Sequence, residues 1–206
     1  MSPPLMQIEP VVLRGNHVLL EPLQPGHTER FCQIGLEGDV FRWFPLAMTS
    51  PEHMRDYVAA ALRDQAQGSA LPFATVHRGL GQAVGSTRFM AIDRPNRRVE
   101  IGSTWIGKPW QRSAVNTEAK FLMLRHAFEV WGCLRVELKT DSLNAASRRA
   151  ILRIGAQEEG TLRNHMLTAA GRVRHSVYFS VIQEEWPQVK ARLERMLAEH
   201  GAPGQS

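Results

Sequence analysis

Glu100 is the acid best placed to do chemistry. It opens the short, β-rich stretch Glu100-Ile101-Gly102-Ser103-Thr104-Trp105-Ile106-Gly107, directly ahead of a turn of small polar residues. A carboxylate there can take a proton from a nucleophile, directly or through one water. Period two puts Glu100, Gly102 and Thr104 on one face, with the acid beside a glycine that leaves room for a ligand arm. The other reading of Glu100 is an exposed carboxylate paired with Arg97 or Arg98. Lys108-Pro109-Trp110 then breaks the strand, since proline has no N–H to donate and restricts its predecessor. Gln111-Arg112-Ser113-Ala114-Val115-Asn116-Thr117 follows, and Phe121, Leu124, Phe128 and Trp131 recur at helical steps up to Gly132. A strand feeding a helix N-terminus presents unpaired N–H groups and the positive end of the dipole, which suits a phosphate or pyrophosphate. Spacing alone fits an ordinary strand-to-helix connection equally well.

Gln111-x-x-Ala114-x-Asn116, between the Glu100 strand and an amphipathic helix, resembles the acyl-CoA pyrophosphate loop of the GNAT superfamily of N-acetyltransferases. That loop is written Gln/Arg-x-x-Gly-x-Gly/Ala. Ala114 and Asn116 stand where glycine is usual, and Asn tolerates positive φ, so the turn is expected to survive. Asn144-Ala145-Ala146-Ser147 through Arg153-Ile154-Gly155-Ala156 resembles the superfamily's Asn-x-x-Ser helix. Gly171-Arg172-Val173-Arg174, Tyr178-Phe179-Ser180 and Glu185-Trp186 resemble the C-terminal signature of the branch that includes the ribosomal-protein N-terminal acetyltransferases. The resemblance runs in order from Val11 to Pro187.

The resemblance implies transfer of the acetyl group of acetyl-CoA to a primary amine within a ternary complex. It implies cofactor contacts from Trp105, Ile106, Gln111, Arg112, Ser113, Ala114, Val115, Asn116, Thr117 and Asn144. It also favours Glu100 as general base over Glu118 or Glu137. The tyrosine that many such enzymes carry after the asparagine is missing here. Ser147 matches the serine of the ribosomal-protein branch and is the expected proton donor to the leaving thiolate, with Tyr178 a second candidate. Local rules give Asn144 and Ser147 another role, as N-cap and third residue of a helix.

Acyl transfer needs a neutral amine, a stabilised oxyanion and a thiolate that can be protonated. An N-terminal amine has a pKa of about 8 and a lysine amine about 10.4, so the former asks less of one glutamate. The oxyanion is expected on a backbone N–H near Thr104 to Ile106, where sheet pairing would have to lapse. Phe41-Arg42-Trp43-Phe44-Pro45 could anchor the core or wall an acceptor mouth, with Arg163, Asn164 and His165 opposite. Cys133 is expected to be a buried strand cysteine. The acceptor favoured is a protein N-terminal α-amine. A small amine, including an antibiotic, stays open, as does a non-catalytic module that binds CoA or another anion and has no need of Glu100 or Ser147.

The elements that must position these residues alternate without a repeat. His17–Leu23 reads as a strand, closed by Pro25-Gly26. Thr28–Leu36 and Pro51–Ala66 read as helices, the second with a stripe of Met54, Tyr57, Val58, Ala61 and Leu62. Leu71–Val76 and Ala83–Ile92 read as strands, Asp93–Asn96 as a turn, and Leu134–Lys139 and Ser176–Val181 alternate at period two. The order is α/β (α+β), and the resemblance makes it a GNAT-like mixed, mostly antiparallel twisted sheet flanked by helices. Residues 11–187 are expected to form the domain, after an N-terminal extension of residues 1–10. A C-terminal helix and tail occupy 188–206, the helix itself reading as Glu184–Glu199. Its stripe of Val189, Leu193, Met196 and Leu197 must cover its own sheet or a second subunit, and the resemblance favours a homodimer.

At 206 residues and 43% hydrophobic, one full core is available. Met1–Gln7 lacks the pattern of a secretion signal, and no apolar run approaches bilayer length. Two cysteines make no disulfide framework, which fits the cytoplasm. Eight histidines lack ligand spacing, so no metal is expected. The net charge of +5 is spread over dispersed arginines without interleaved aromatics. That is a solvated basic face, or one meeting an anionic cofactor or acidic peptide, rather than a nucleic-acid groove.

Overall fold

The computed structural model describes residues 6–201, so the outermost residues of the expected extension and tail lie outside the described ones. Among the described residues eight strands form one sheet: β1 (Leu13–Arg14), β2 (Val18–Pro22), β3 (Leu71–His77), β4 (Gln82–Asp93), β5 (Arg98–Ile106), β6 (Arg135–Asp141), β7 (Gln157–Leu167) and β8 (Val173–Ile182). Their spatial order is β1-β2-β3-β4-β5-β6-β8-β7. Five helices accompany them: α1 (His27–Gly35), α2 (Pro51–Ala66), α3 (Ala114–Arg125), α4 (Ala145–Arg153) and α5 (Trp186–Gly201).

Among the described strands only β5 and β6 run parallel, and α3 supplies the crossover that a parallel pair requires. Their ladder holds only Arg98–Glu100 against Arg135–Glu137. Past Glu100, β5 continues on β4 alone and β6 on β8 alone. The sheet therefore opens into a V with Glu100 at its vertex.

Each face of the sheet carries its own core. Val99, Ile101, Val136 and Phe179 pack with Leu122 and Met123 of α3 and with Val189 and Leu193 of α5. On the other face Phe31, Met54, Tyr57, Ala74 and Trp105 form a second cluster under α1 and α2. Pro51 and the Ser50 side chain, which accepts from the His53 N–H at 3.3 Å, start α2 where the turn chemistry demands. The α5 stripe finds its partner within the chain, with Trp186 stacked on Phe128 at 5.4 Å. Val189 and Leu193 are buried in that core and Met196 packs against it, so this stripe covers the chain's own sheet.

Two features depart from strand periodicity. Opposite β5, the β4 register shifts between Ser86 and Arg88, and Ser103 takes a φ of 46°. This bulge inserts one residue and reverses the phase of the side chains beyond it. Glu100 and Gly102 stay on the face of Met90 and Arg88, whereas Thr104 turns to α3. The expectation that Glu100, Gly102 and Thr104 share a face is therefore corrected. The second feature is β7, an edge strand exposed along most of its length and without alternation. Arg163, Asn164 and His165 lie in it.

Candidate active site

A cleft of about 1080 Å³ runs through the V and is walled from both faces of the sheet. It gathers Glu100, Trp105, Ile106, Gln111, Arg112, Asn116, Asn144 and Ser147 into one lining. Ser113, Ala114, Val115 and Thr117 stand behind it in the turn and first turn of α3. Tyr178 is set back from the lining, its ring 5.7 Å from the Lys139 ammonium and edge-on to His165.

Glu100 is buried, and its Oε2 accepts from Lys139 Nζ at 2.9 Å. Arg98 pairs instead with Asp93 at 2.9 Å, so the alternative of an exposed Glu100 held by Arg97 or Arg98 is overturned. The room beside Gly102 is also filled: a Cβ there would meet Met90 Sδ at 2.5 Å and Glu100 Oε1 at 2.8 Å. Gly102 makes space for the glutamate itself. The other two acids weighed for this role are engaged elsewhere. Glu118 accepts from the backbone N–H of Asn16, His17 and Val18 at 2.6–2.7 Å and ties α3 to β2. Glu137 pairs with Arg135 at 2.9 Å.

The turn into α3 is built by side chains. Gln111 Nε2 donates to the Ile106 carbonyl at 2.8 Å, tethering the turn to the end of β5. Ser113 caps the helix, accepting from the Val115 N–H at 3.3 Å and donating to the Trp110 carbonyl at 2.7 Å. The left-handed residue is Arg112, at φ 59°, and not Asn116, which lies inside α3. The tolerance of Asn for positive φ is therefore not what preserves the turn. Asn116 Oδ1 is instead a buried acceptor without a partner, turned to the cleft wall. A helix start leaves its first N–H groups without intrahelical acceptors, and those not taken by Ser113 are available to an anion. Asn144 caps α4, accepting from the Ser147 N–H at 3.0 Å, so both carry the capping geometry expected of them and line the cleft as well.

The aromatic segment before α2 divides its labour. Phe41 is buried, 5.0 Å from the Trp105 ring, while Trp43, Phe44 and Pro45 line the cleft. Of the segment expected opposite, Arg163, Asn164 and His165 stay off the wall, and Met166 and Arg174 of the same hairpin take their place. Cys133 is fully buried, and burial pushes its thiol up to about 12, an inert state. Among the described residues no cluster of His, Cys, Asp or Glu could hold a metal.

Among the lining residues that sequence patterns missed, Tyr57, Arg88, Lys139 and Lys120 carry polar groups into the cleft wall. Tyr57 donates its hydroxyl to the Ser103 carbonyl at the bulge, 3.3 Å away. Arg88, buried, lies 5.0 Å from the Tyr57 ring and 3.6 Å from Asp64 Oδ2, with its Nε unpartnered. Lys139 carries Glu100. Lys120 is buried, with Nζ donating to Thr104 Oγ1 at 2.6 Å and approaching Thr87 Oγ1 at 3.4 Å. Burial lowers its pKa to about 7. The one available signal was the alternation of β6, which puts Lys139 two residues from Glu137 on the Glu100 face.

The sequence profile of the GNAT acetyltransferase domain matches residues 17–157. A curated protein provisionally named the ribosomal N-acetyltransferase YdaF, from Bacillus subtilis (strain 168), is 27% identical over 176 residues, covering 83% of this chain and 94% of its own. The crystal structure of a GCN5-related N-acetyltransferase from Brucella melitensis superposes with a TM-score of 0.84 at 30% identity, over 95% of this chain and 87% of its own. Mycobacterium smegmatis RimJ, solved with CoA-disulfide, superposes with a TM-score of 0.75 at 23% identity, over 90% of this chain and 91% of its own. With a family profile spanning most of its length, this chain belongs to the GNAT family and is an acetyltransferase.

Proposed function

We propose that this enzyme transfers the acetyl group of acetyl-CoA to the α-amine of a protein N-terminus, in a ternary complex, with Glu100 as general base. The observation that carries the reading is the position of Glu100 at the vertex of the V, with the α3 turn on one side and the aromatic wall on the other. In this reading the pyrophosphate rests on the free N–H groups at the start of α3 and within reach of Gln111 and Arg112. The pantetheine arm lies between the parted β5 and β6, along the stretch of β5 at Trp105 and Ile106 that pairs with β4 and has no partner on β6. Asn144 and Asn116 complete the cofactor wall.

Glu100 takes the amine proton directly or through one water, and Lys139 holds the carboxylate in place. The amine attacks the thioester carbon, and the oxygen that becomes negative meets the backbone N–H groups loosened by the bulge. Collapse expels the thiolate, which takes a proton through the Ser147 hydroxyl as solvent returns one to the serine. Tyr178, behind Lys139, is the less direct donor.

One feature favours a peptide acceptor over a polycationic small amine. The unpartnered Arg88 Nε can donate to a peptide carbonyl. The name of the Bacillus relative points the same way. Cytoplasmic location and a homodimer belong to the same reading. The dimer is supported by the exposed β7 edge, which carries Leu162 and Leu167 beside Val173 of β8. The test is thiol release from acetyl-CoA across a panel of N-terminally free peptides, polyamines and aminoglycosides. Turnover on peptides is expected. Turnover on the polycations alone would overturn the acceptor assignment.

A further inference from the structure

Lys120 is a buried amine with no counter-ion among the described residues. It projects from the second turn of α3, 6% exposed, and its nitrogen meets only hydroxyls: Thr104 Oγ1 at 2.6 Å and Thr87 Oγ1 at 3.4 Å, themselves 2.7 Å apart. The charged groups of the surrounding elements are engaged elsewhere. On α3, Glu118 serves the backbone of Asn16 to Val18. On β5, Glu100 faces Lys139 across the other side of the sheet, and on β4 Arg88 lies on that far side too. On α4, Arg153 donates to Thr117. Burial is accordingly the single cause that lowers the Lys120 pKa to about 7. For packing alone, a methionine of similar length would serve better, since an unpaired buried ammonium opposes folding.

The location gives the amine a use. Thr104 is half-buried, lines the cleft and follows the bulged Ser103 directly. A threonine hydroxyl has one proton. When Lys120 donates to Thr104 Oγ1, that proton is directed onward, to Thr87 at 2.7 Å, to the Gly102 carbonyl at 3.5 Å or to an acceptor in the cleft. The bulge loosens backbone N–H groups at the same point.

We propose that Lys120 is a positioning residue for the oxyanion, turning the Thr104 O–H onto the thioester carbonyl oxygen and lending it positive charge as that oxygen becomes negative. The proposal rests on the acyl-transfer reading above. In the step concerned, the amine nitrogen forms its bond to carbon and the C=O pair moves to oxygen, which accepts from Thr104 while Lys120 donates to Thr104. Collapse returns that pair, breaks the C–S bond and restores the Thr104 hydrogen bond. No proton leaves Lys120, which must simply be charged.

The experiment compares wild type, Lys120→Met, Lys120→Arg, Thr104→Val and the Lys120→Met/Thr104→Val double variant. It measures kcat, KM for acetyl-CoA, the pH profile from 6 to 9.5 and the melting temperature. Lys120→Met is expected to lose about 10²-fold in kcat, with KM for acetyl-CoA nearly unchanged and a melting temperature at or above wild type. Thr104→Val should lose a similar factor, and the double variant little more than either alone. Wild-type kcat should turn down at alkaline pH as Lys120 loses its proton, and Lys120→Arg, which keeps its charge, should restore part of the rate without that downturn. Wild-type kcat in Lys120→Met overturns the proposal, as does an unchanged alkaline limb in Lys120→Arg. Should Lys120→Met fail to fold, an unimpaired Thr104→Val overturns it too. A wild type without thiol release would sink the acyl-transfer reading instead, a result separable from all of these.

Discussion

Glu100 and Lys139 are 39 positions apart in sequence, and only the parallel pairing of β5 with β6 makes them neighbours at 2.9 Å. The glutamate was legible as a strand acid ahead of a helix turn. Its partner was not, because Arg97 and Arg98 stood closer in sequence and the parallel crossover was not foreseen. Replacing Glu100 by Gln is expected to lower turnover by about 10²-fold or more, with cofactor affinity little changed. The residual rate should rise with pH as solvent supplies more neutral amine, and steady-state kinetics at several pH values check both effects. Lys120 makes a second prediction, on stability. Its folded pKa of about 7 lies below the ordinary 10.5, so between these values the unfolded chain binds more protons than the folded one. Stability from this residue is therefore lost below about pH 7 and recovered as pH rises through the window. Melting temperatures should show Lys120→Met more stable than wild type at pH 6.5, with the gap closing toward pH 10.

The elements divide by what their side chains face. β6 and β8 each bury one face on a core, so period two exposes them in the sequence. α2 declares itself by its cap and apolar stripe. β7 is exposed on both faces, and no alternation marks it. The bulge at Ser103 left no compositional trace either, since a serine rather than a glycine takes the positive φ. That single inserted residue hid the meeting of Thr104 with Lys120. The α3 turn was legible as a strand-to-helix junction, although its left-handed residue is Arg112 and its capping residue Ser113. Acetyl-CoA is expected to raise the melting temperature of wild type by mass action. Ala114→Asp, which puts a carboxylate on the first turn of α3, should fold normally and lose the shift. Absence of a wild-type shift at millimolar acetyl-CoA would contradict cofactor binding at this turn.

At the scale of the whole molecule, two cores on opposite faces clamp a sheet that divides after three paired residues of β5 and β6. Cofactor and acceptor can then enter from opposite faces and meet at one carboxylate. The fold class was readable from element order and the family from four short motifs in sequence order. The V itself was not, because it depends on which strands cease to pair. The exposed β7 edge is expected to be covered by a second copy, and light scattering at micromolar concentration should report a dimer, where a monomer would contradict it. The most direct test of the proposed chemistry uses one peptide carrying both a free α-amine and an internal lysine. Incubated with acetyl-CoA and enzyme, it is followed by fragment mass spectrometry alongside thiol release. One acetyl group on the α-amine, matched by one free thiol, is the expected result. Acetylation confined to the lysine ε-amine, or none at all, would contradict it.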